Sequence, residues 1–405
     1  MKPIVRAERM KPVHSDIRGP LFVEAMKRQK QGIDILKLNT GNPATFGFGL
    51  PDSIKNALME HMQDGVGYCD FKGMPQARQA ICDYETSKGI KGITPDDVFI
   101  GNGVSEVVSF ALTPLLNDGD EVLVPSPSYS LWGNSVYLED GKPVFYTCDE
   151  QANWYPDIQD IRSKITDKTK AIVIINPNNP TGVLYPKEIL LEIIQVARES
   201  GLLIFADEIY DRLVMDGKQH ISLASLTEDV PVITLNGLSK SHCLCGYRCG
   251  WMVISGPREL TEDYRQGIIQ LTSLRLCANT MAQIVIPAAL DDMETPASMV
   301  RPGGRIYEQR EATVRELEKI DGLSFVKNDA AFYVFPKLDV KKFNITNDKQ
   351  FAHDLLDATN ILLVPGSGFD WKDPDHFRIV MLPQADILSD AIRRMGTFLD
   401  GYKQK

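Results

Sequence analysis

The run Ala171-Ile172-Val173-Ile174-Ile175-Asn176-Pro177-Asn178-Asn179-Pro180-Thr181-Gly182 decides the fold. Five consecutive apolar residues read as a strand covered on both faces. The prolines and glycine behind them make a stiff turn that presents an amide at the strand's end. A helical pattern from Lys187 to Ser200 follows, and then Gly201-Leu202-Leu203-Ile204-Phe205-Ala206 reads as the next strand. The alternation continues outward in both directions. Val98-Phe99-Ile100 leads into a helix from Ser105 towards Leu116, and Glu121-Val122-Leu123-Val124 is a strand closed by Pro125. Val232 to Leu235 and Trp251 to Ile254 complete the set. Strands separated by helices need crossover connections, so the fold class is α/β, with a mostly parallel sheet flanked by helices. Ligands of such sheets gather beyond the carboxyl ends of the strands, where Ser105, Asn179, Asp207 and Lys240 all fall.

After about residue 295 the pattern changes. A long helical stretch from Gly304 to Ile320 precedes shorter strands at 331–335 and 377–380, which predicts a smaller α+β domain. The expected organisation is an arm and part of the small domain at 1–48, a large domain at 49–295 and a C-terminal small domain at 296–405.

Composition narrows the function classes. The chain has 405 residues, a formal net charge of −10 and 43% hydrophobic residues, which argues for a globular protein and against nucleic acid as a partner. No apolar run approaches the roughly 18–20 residues of a membrane span, and no apolar stretch backs the basic residues between Met1 and Arg18. Seven cysteines without a regular framework fit reduced thiols in a cytoplasmic protein.

Chemistry concentrates in Asn236-Gly237-Leu238-Ser239-Lys240-Ser241-His242-Cys243-Leu244-Cys245-Gly246-Tyr247-Arg248-Cys249-Gly250. A lysine beside an arginine in one desolvated site has its neutral amine favoured. Such an amine attacks aldehydes, and an aldehyde that also carries a phosphate would use both cations. Gly101-Asn102-Gly103-Val104-Ser105 sits where a strand enters a helix, and helix N-termini bind phosphate. It is not the dinucleotide fingerprint, because Glu106 stands where a third glycine is needed. Asp207 ends an apolar strand and needs a cationic partner; a protonated pyridine nitrogen would serve, and a helix cap or structural ion pair is the plainer reading. Arg378, inside the apolar strand 377–380, needs a carboxylate from the protein or from a substrate. His242, Cys243, Cys245 and Cys249 are zinc-ligand types, but their spacing and the flanking cations favour packing over metal.

In order and in register, these segments resemble the class I/II, fold-type I aminotransferases, from about Leu36 to Leu399. The resemblance implies pyridoxal 5'-phosphate held as a Schiff base on the catalytic Lys240. It implies a phosphate cradle of Gly103, Val104, Ser105, Ser239 and Arg248, and Tyr129 stacked on the pyridine, with Trp132 the competing aromatic. Asn179 and Tyr210 would serve the ring oxygen and Asp207 the ring nitrogen. Tyr68 would reach the phosphate from the neighbouring subunit, which calls for a homodimer. Arg378, Asn179 and Gly41 would bind the substrate. Two departures stand out: Gly237 where the family often has serine, and Ala330-Ala331 where a glycine-alanine pair is common.

Asp16-Ile17-Arg18-Gly19-Pro20, the 101–106 segment and Arg275-Leu276-Cys277-Ala278-Asn279 are similar to the alanine (glutamate–pyruvate) branch of that family. That similarity implies ping-pong transamination between L-alanine and 2-oxoglutarate. Arg18 would help hold the dicarboxylic substrate, or is a surface arginine beside Asp16. The alternatives are an aminotransferase for aspartate, aromatic or other amino acids, a cystathionine β-lyase-like enzyme, and a regulator that keeps the domain for sensing.

Overall fold

The computed structural model describes residues 2–405; Met1, the first residue of the expected arm, lies outside the described residues. Its centre is an eight-stranded sheet. The strands are β1 (Val98–Asn102), β2 (Glu121–Ser126), β3 (Lys142–Asp149), β4 (Tyr155–Pro156), β5 (Thr169–Ile175), β6 (Leu203–Asp207), β7 (Val232–Gly237) and β8 (Cys249–Ser255). Their spatial order is β1-β8-β7-β6-β5-β2-β3-β4. The pairs from β3 across to β7 are parallel, whereas β8 runs antiparallel to both β7 and β1. The expected strand 251–254 is therefore present but reversed. Only one helical turn, α4 (Leu238–Ser241), lies between β7 and β8, too little chain for a parallel crossover.

Both faces of the sheet are covered. Leu123, Ile172, Ile174, Ile204 and Ala206 pack on one side against α3 (Lys187–Ser200). Val122, Val124, Val173, Phe205, Ile233 and Leu235 pack on the other against α1 (Val104–Leu112) and α2 (Leu131–Leu138). Helix α3 has the bounds its periodicity predicts. It buries Leu190, Ile193, Ile194, Val196 and Ala197 and stops at Gly201, held at φ 64°. Each large aliphatic side chain so buried contributes about 2 kcal/mol.

Three sequence expectations are corrected. The helix from Ser105 ends at Leu112, before Pro114, rather than near Leu116. Pro125 does not close its strand: β2 pairs with β5 only as far as Leu123, so no ladder bond on that side needs its nitrogen. The strand expected at 331–335 shrinks to Tyr333–Val334, because Ala331 adopts φ 60° and breaks the extended run. Strand β3 had no counterpart in the sequence reading; its lysine, proline and polar residues mask the alternation.

Short strands build the remainder. Tyr333–Val334, Phe377–Val380 and Val364–Pro365 form an antiparallel sheet with Phe377–Val380 in the middle. Leu36–Lys37 pairs in parallel with Ile361–Leu362, and the Val380 N–H donates to the Leu38 carbonyl at 3.0 Å. The chain before residue 49 is thus tied to the C-terminal strands. Among the described residues no single helix is long and apolar enough to cross a membrane.

Candidate active site

A cavity of about 490 Å³ opens at the carboxyl ends of β2, β5, β6 and β7, bounded on the far side by Thr40, Gly41, Tyr333 and Arg378. It gathers twelve of the fourteen residues singled out in the sequence: Arg18, Gly41, Val104, Ser105, Tyr129, Asn179, Asp207, Tyr210, Ser239, Lys240, Arg248 and Arg378. Gly103 and Tyr68 are not on its wall. Gly103, at φ 86°, supports it from behind; a Cβ there would overlap the Arg248 guanidinium. Tyr68 is 83% exposed and does not line the cavity of its own chain.

Lys240 lies on α4, immediately beyond β7. Its Nζ donates to the Gly41 carbonyl at 2.9 Å and stands 4.0 Å from Cys245 Sγ. The sequence argument that Arg248 favours the neutral amine does not hold here. The Arg248 guanidinium turns to the Cys245 carbonyl at 3.0 Å, with the Arg248 backbone at φ 55°, a conformation arginine rarely adopts. Burial works against the Lys240 charge, but Tyr333, Cys245 and Tyr129 outweigh it and hold the amine above the ordinary lysine range; Arg378 opposes them.

Asp207 ends β6 and is almost wholly buried. Its partners are neutral donors: Trp132 Nε1 at 3.1 Å and the Ile209 N–H at 3.4 Å. Burial pushes the carboxyl up to about 6 against those donors, so a cation in the cavity would find an under-compensated acid. Trp132 is buried beneath Asp207, which leaves Tyr129 as the aromatic on the wall. The next residue, Glu208, points away from the cavity. It joins a buried ion cluster in which Lys88 Nζ contacts Glu85 at 2.6 Å, Glu208 at 2.7 Å and Asp211 at 3.3 Å. The chain leaving β6 is therefore anchored on the side remote from the cavity.

The turn after β5 assigns three asparagines to three tasks. The Tyr185 N–H donates to Asn176 Oδ1 at 2.8 Å, and Asn178 Oδ1 accepts from the Thr181 hydroxyl at 3.0 Å. Both amides are spent on the turn itself. Asn179 is left to face the cavity, where its Oδ1 accepts from Arg378 Nη1 at 2.9 Å.

Arg378 is fully buried, and among the described residues no carboxylate pairs with it. Its guanidinium lies between the Tyr333 ring at 4.5 Å and the Phe369 ring at 4.6 Å, and Nη2 donates to the Asn39 carbonyl. Its Nε has no partner. Burial lowers its pKa from the ordinary arginine value. The structural-carboxylate reading thus fails, and a planar donor fork is left for an anion.

The phosphate-like end of the cavity is a set of close approaches. The first-turn N–H groups of α1, at Val104 and Ser105, have no helical carbonyl to reach. A Cβ on Gly250 would collide with the Val104 nitrogen. A Cβ on Gly237 would come within 2.6 Å of the Cys249 carbonyl, which accounts for the missing serine. Ser239 and Arg248 close the ring.

The sequence reading missed two residues of consequence, Trp132 in its contact with Asp207 and Tyr333. The Tyr333 hydroxyl hydrogen-bonds the Tyr210 hydroxyl at 2.9 Å, and a Cβ on Gly41 would overlap it. The hydroxyl-bearing Tyr333, in the otherwise apolar run Ala330-Ala331-Phe332-Tyr333-Val334-Phe335, was the available signal. The zinc-like residues go separate ways. His242 contacts Ser241 Oγ at 3.0 Å and the Asp292 carbonyl at 3.2 Å, and burial depresses it to about 4. Burial pushes Cys243 and Cys249 up to about 12.

The strap of chain ahead of the first long helix crosses the cavity mouth, with Ser15, Ile17 and Arg18 on the wall. Asp16 is not paired with Arg18. It contacts His14 at 3.6 Å and Lys349 at 3.2 Å, and among the described residues no carboxylate pairs with the Arg18 guanidinium.

Comparison with known proteins places this geometry. The family model described as aminotransferase class I and II matches residues 33–392. The chain is 49% identical over 404 residues to the glutamate-pyruvate aminotransferase AlaA of Haemophilus influenzae, covering all of both chains. It is 45% identical to an alanine aminotransferase of Mycobacterium tuberculosis, covering all of this chain and 94% of that one. A crystal structure of an aminotransferase from Escherichia coli superposes with a TM-score of 0.98 at 46% identity, covering both chains completely. An alanine aminotransferase from Pyrococcus furiosus superposes at 0.93 and 40% identity, over 98% of this chain and 100% of that one.

Proposed function

The chain belongs to the class I and II aminotransferases, and from that membership we propose that it interconverts L-alanine and 2-oxoglutarate with pyruvate and L-glutamate in a ping-pong sequence. Its cofactor is pyridoxal 5'-phosphate, and the cavity fits that group. Asp207 is a buried acid lacking a cation, the glycine-backed N-terminus of α1 is a cradle for a phosphate, and Lys240 offers an amine between them. The Val104 and Ser105 N–H groups, Ser239 and Arg248 would hold the phosphate, with Gly103 giving Arg248 room. Tyr129 would lie against the ring, Asp207 would pair with its nitrogen, and Asn179 and Tyr210 would serve its oxygen. When bound, the cofactor supplies an electron sink for the negative charge that develops at the substrate's α-carbon.

The chain's own residues do the rest. Arg378 binds the α-carboxylate through the N–H groups that its bonds to Asn179 and Asn39 leave over, with Asn179 and the Gly41 backbone beside it. Lys240 Nζ, charged in the stripped protein, takes the proton from the α-carbon in its neutral form, acting as general base. The carbonyl of Gly41 holds that amine on the substrate side of the cavity. Arg18 meets the second carboxylate of glutamate or 2-oxoglutarate and stays unpaired when alanine or pyruvate occupies the site. We read Tyr68 as a residue that serves the phosphate of a partner subunit, and hence the protein as a homodimer. We also propose the division 1–48, 49–295 and 296–405, and a cytoplasmic location that suits the free cysteines.

One observation carries the reading: a buried arginine without a carboxylate shares its cavity with an amine and an under-compensated acid. The test is a half-reaction. Cofactor-loaded protein is mixed with single amino acids, and the visible absorption of the bound cofactor is followed. Loss with alanine and with glutamate, reversed by pyruvate and 2-oxoglutarate and abolished in Lys240→Ala, is the expected result. Response to aspartate or aromatic amino acids alone would replace the substrate assignment. Ammonia and pyruvate released from cystathionine without an acceptor would make the protein a lyase.

A further inference from the structure

His14 is not itself on the cavity wall, yet it joins three elements that surround the cavity mouth. On its backbone side it is locked to α2: its N–H donates to Asn134 Oδ1 at 3.1 Å, and Asn134 Nδ2 donates to its carbonyl at 2.6 Å. Its imidazole lies between two carboxylates, 3.0 Å from Asp370 Oδ1 and 3.6 Å from Asp16 Oδ2. Asp370 follows the turn Gly366–Phe369, the segment whose Phe369 ring covers Arg378. It is held at φ 58°, its carbonyl accepts from Ser126 Oγ at 2.7 Å, and its Oδ2 is buried without a partner. On the strap itself, the Ile17 carbonyl accepts from Asn39 Nδ2 at 2.8 Å. A Cβ on Gly368 would come within 2.8 Å of Asp16 Cβ, so the strap lies directly on that turn.

We propose that His14 is the clasp of this strap: a positioning residue that fastens residues 15–18 across the cavity mouth and thereby sets Arg18 towards the dicarboxylic substrate. The second half rests on the reading of Arg18 given above. A neutral imidazole has a single N–H and could not donate to both carboxylates, and without a cation Asp16 and Asp370 repel across the clasp. The charged and titratable groups that bear on it are few. Asp16 lies on the strap, Asp370 comes from the turn, Tyr137 from α2 faces Asp370, and Lys349 comes from behind Asp16. The contacts with Asp16 and Asp370 hold the imidazole protonated up to about pH 9, and the pairing with His14 lowers Asp16 in turn. The clasp is therefore charged at neutral pH and is lost as pH rises through about 9.

The experiment compares wild type, His14→Gln and His14→Lys as cofactor-loaded enzymes, by KM for each oxo acid and by the rate of trypsin cleavage after Arg18. His14→Gln should cut faster after Arg18 and raise the KM for 2-oxoglutarate roughly tenfold, with kcat changed far less. His14→Lys, which keeps the cation, should restore both. In wild type the KM for 2-oxoglutarate should climb as pH passes about 9, a rise absent in His14→Gln. Unchanged cleavage in His14→Gln overturns the clasp, and faster cleavage with unchanged KM values for both oxo acids overturns its role in substrate positioning. Arg18→Ala separates this from the Arg18 reading. If Arg18→Ala leaves the KM for 2-oxoglutarate intact while His14→Gln raises both KM values, the clasp stands and the arginine assignment falls.

Discussion

Asp207 shows how function and stability oppose each other at a single residue. Burial holds its carboxyl at about 6 rather than 3.8, in contact with neutral donors only. In the protein stripped of cofactor, the folded state therefore binds a proton more tightly than the unfolded chain. Stability falls as pH rises from about 4 to 6, and the deficit persists above that, on the order of 3 kcal/mol. Asp207→Asn should accordingly raise the melting temperature of the stripped protein at pH 7, with the gain vanishing near pH 4. The same variant should bind cofactor poorly, since the ring nitrogen loses its counter-charge. Thermal unfolding at the two pH values checks this, and a stripped wild type more stable than the variant at pH 7 would contradict it. At this scale the chemistry-bearing residues were legible in the sequence, because the motifs that carry them resemble those of the aminotransferase family in order and in register. Their protonation was not. Lys240 was expected neutral beside Arg248, but the groups that bear on it are Tyr333, Cys245, Tyr129 and Arg378, three of which lie far away in the chain.

Among the elements, α1 and its preceding turn decide how tightly a phosphate can be held. Gly103 takes φ 86° and leaves its Cβ position to the Arg248 guanidinium, while Gly250 does the same for the Val104 nitrogen. Gly103→Ala faces both a disfavoured backbone conformation, about 1–3 kcal/mol, and displacement of Arg248 from the cradle. Cofactor dissociation should rise at least roughly tenfold, while Tm of the stripped protein falls only modestly; equilibrium dialysis measures the first. Cofactor affinity equal to wild type would remove Arg248 and the cradle from the phosphate reading. Elements with a clean apolar period, such as α3 and β5, were legible to within two residues at their ends. Strand β3 was not, since Lys142, Pro143 and Thr147 interrupt its pattern and only its pairing with β2 makes it a strand. The direction of β8 was also hidden, because strand orientation depends on the length of the connection rather than on the strand's own residues.

Over the whole molecule, the site draws on chain segments as distant as Arg18 and Arg378, yet Tyr68 stays outside it, 83% exposed. If Tyr68 completes the cradle of a partner, a mixed dimer of Lys240→Ala and Tyr68→Ala chains holds one site with both defects and one with none. Mixing equal amounts of the two inactive or weakened variants, with subunit exchange, should then restore activity approaching about a quarter that of wild type, since half of the dimers are mixed and each has one intact site; no recovery despite verified mixed dimers would place Tyr68 outside the site. The amino-acid sequence alone settled the α/β class, the family and half of the cavity's wall residues, because apolar periodicity and turn chemistry are local properties and the family's motifs sit at strand ends, where such sheets expose their ligand groups. Only the tertiary structure decided what those residues face. That Arg378 lacks a carboxylate and lies between two rings, that Trp132 serves Asp207 and not the cavity, and that His14 joins the strap to α2 and the 366–370 turn all depend on separate segments of the chain being packed together. Burial and charge are set by such neighbours, and no local pattern records them.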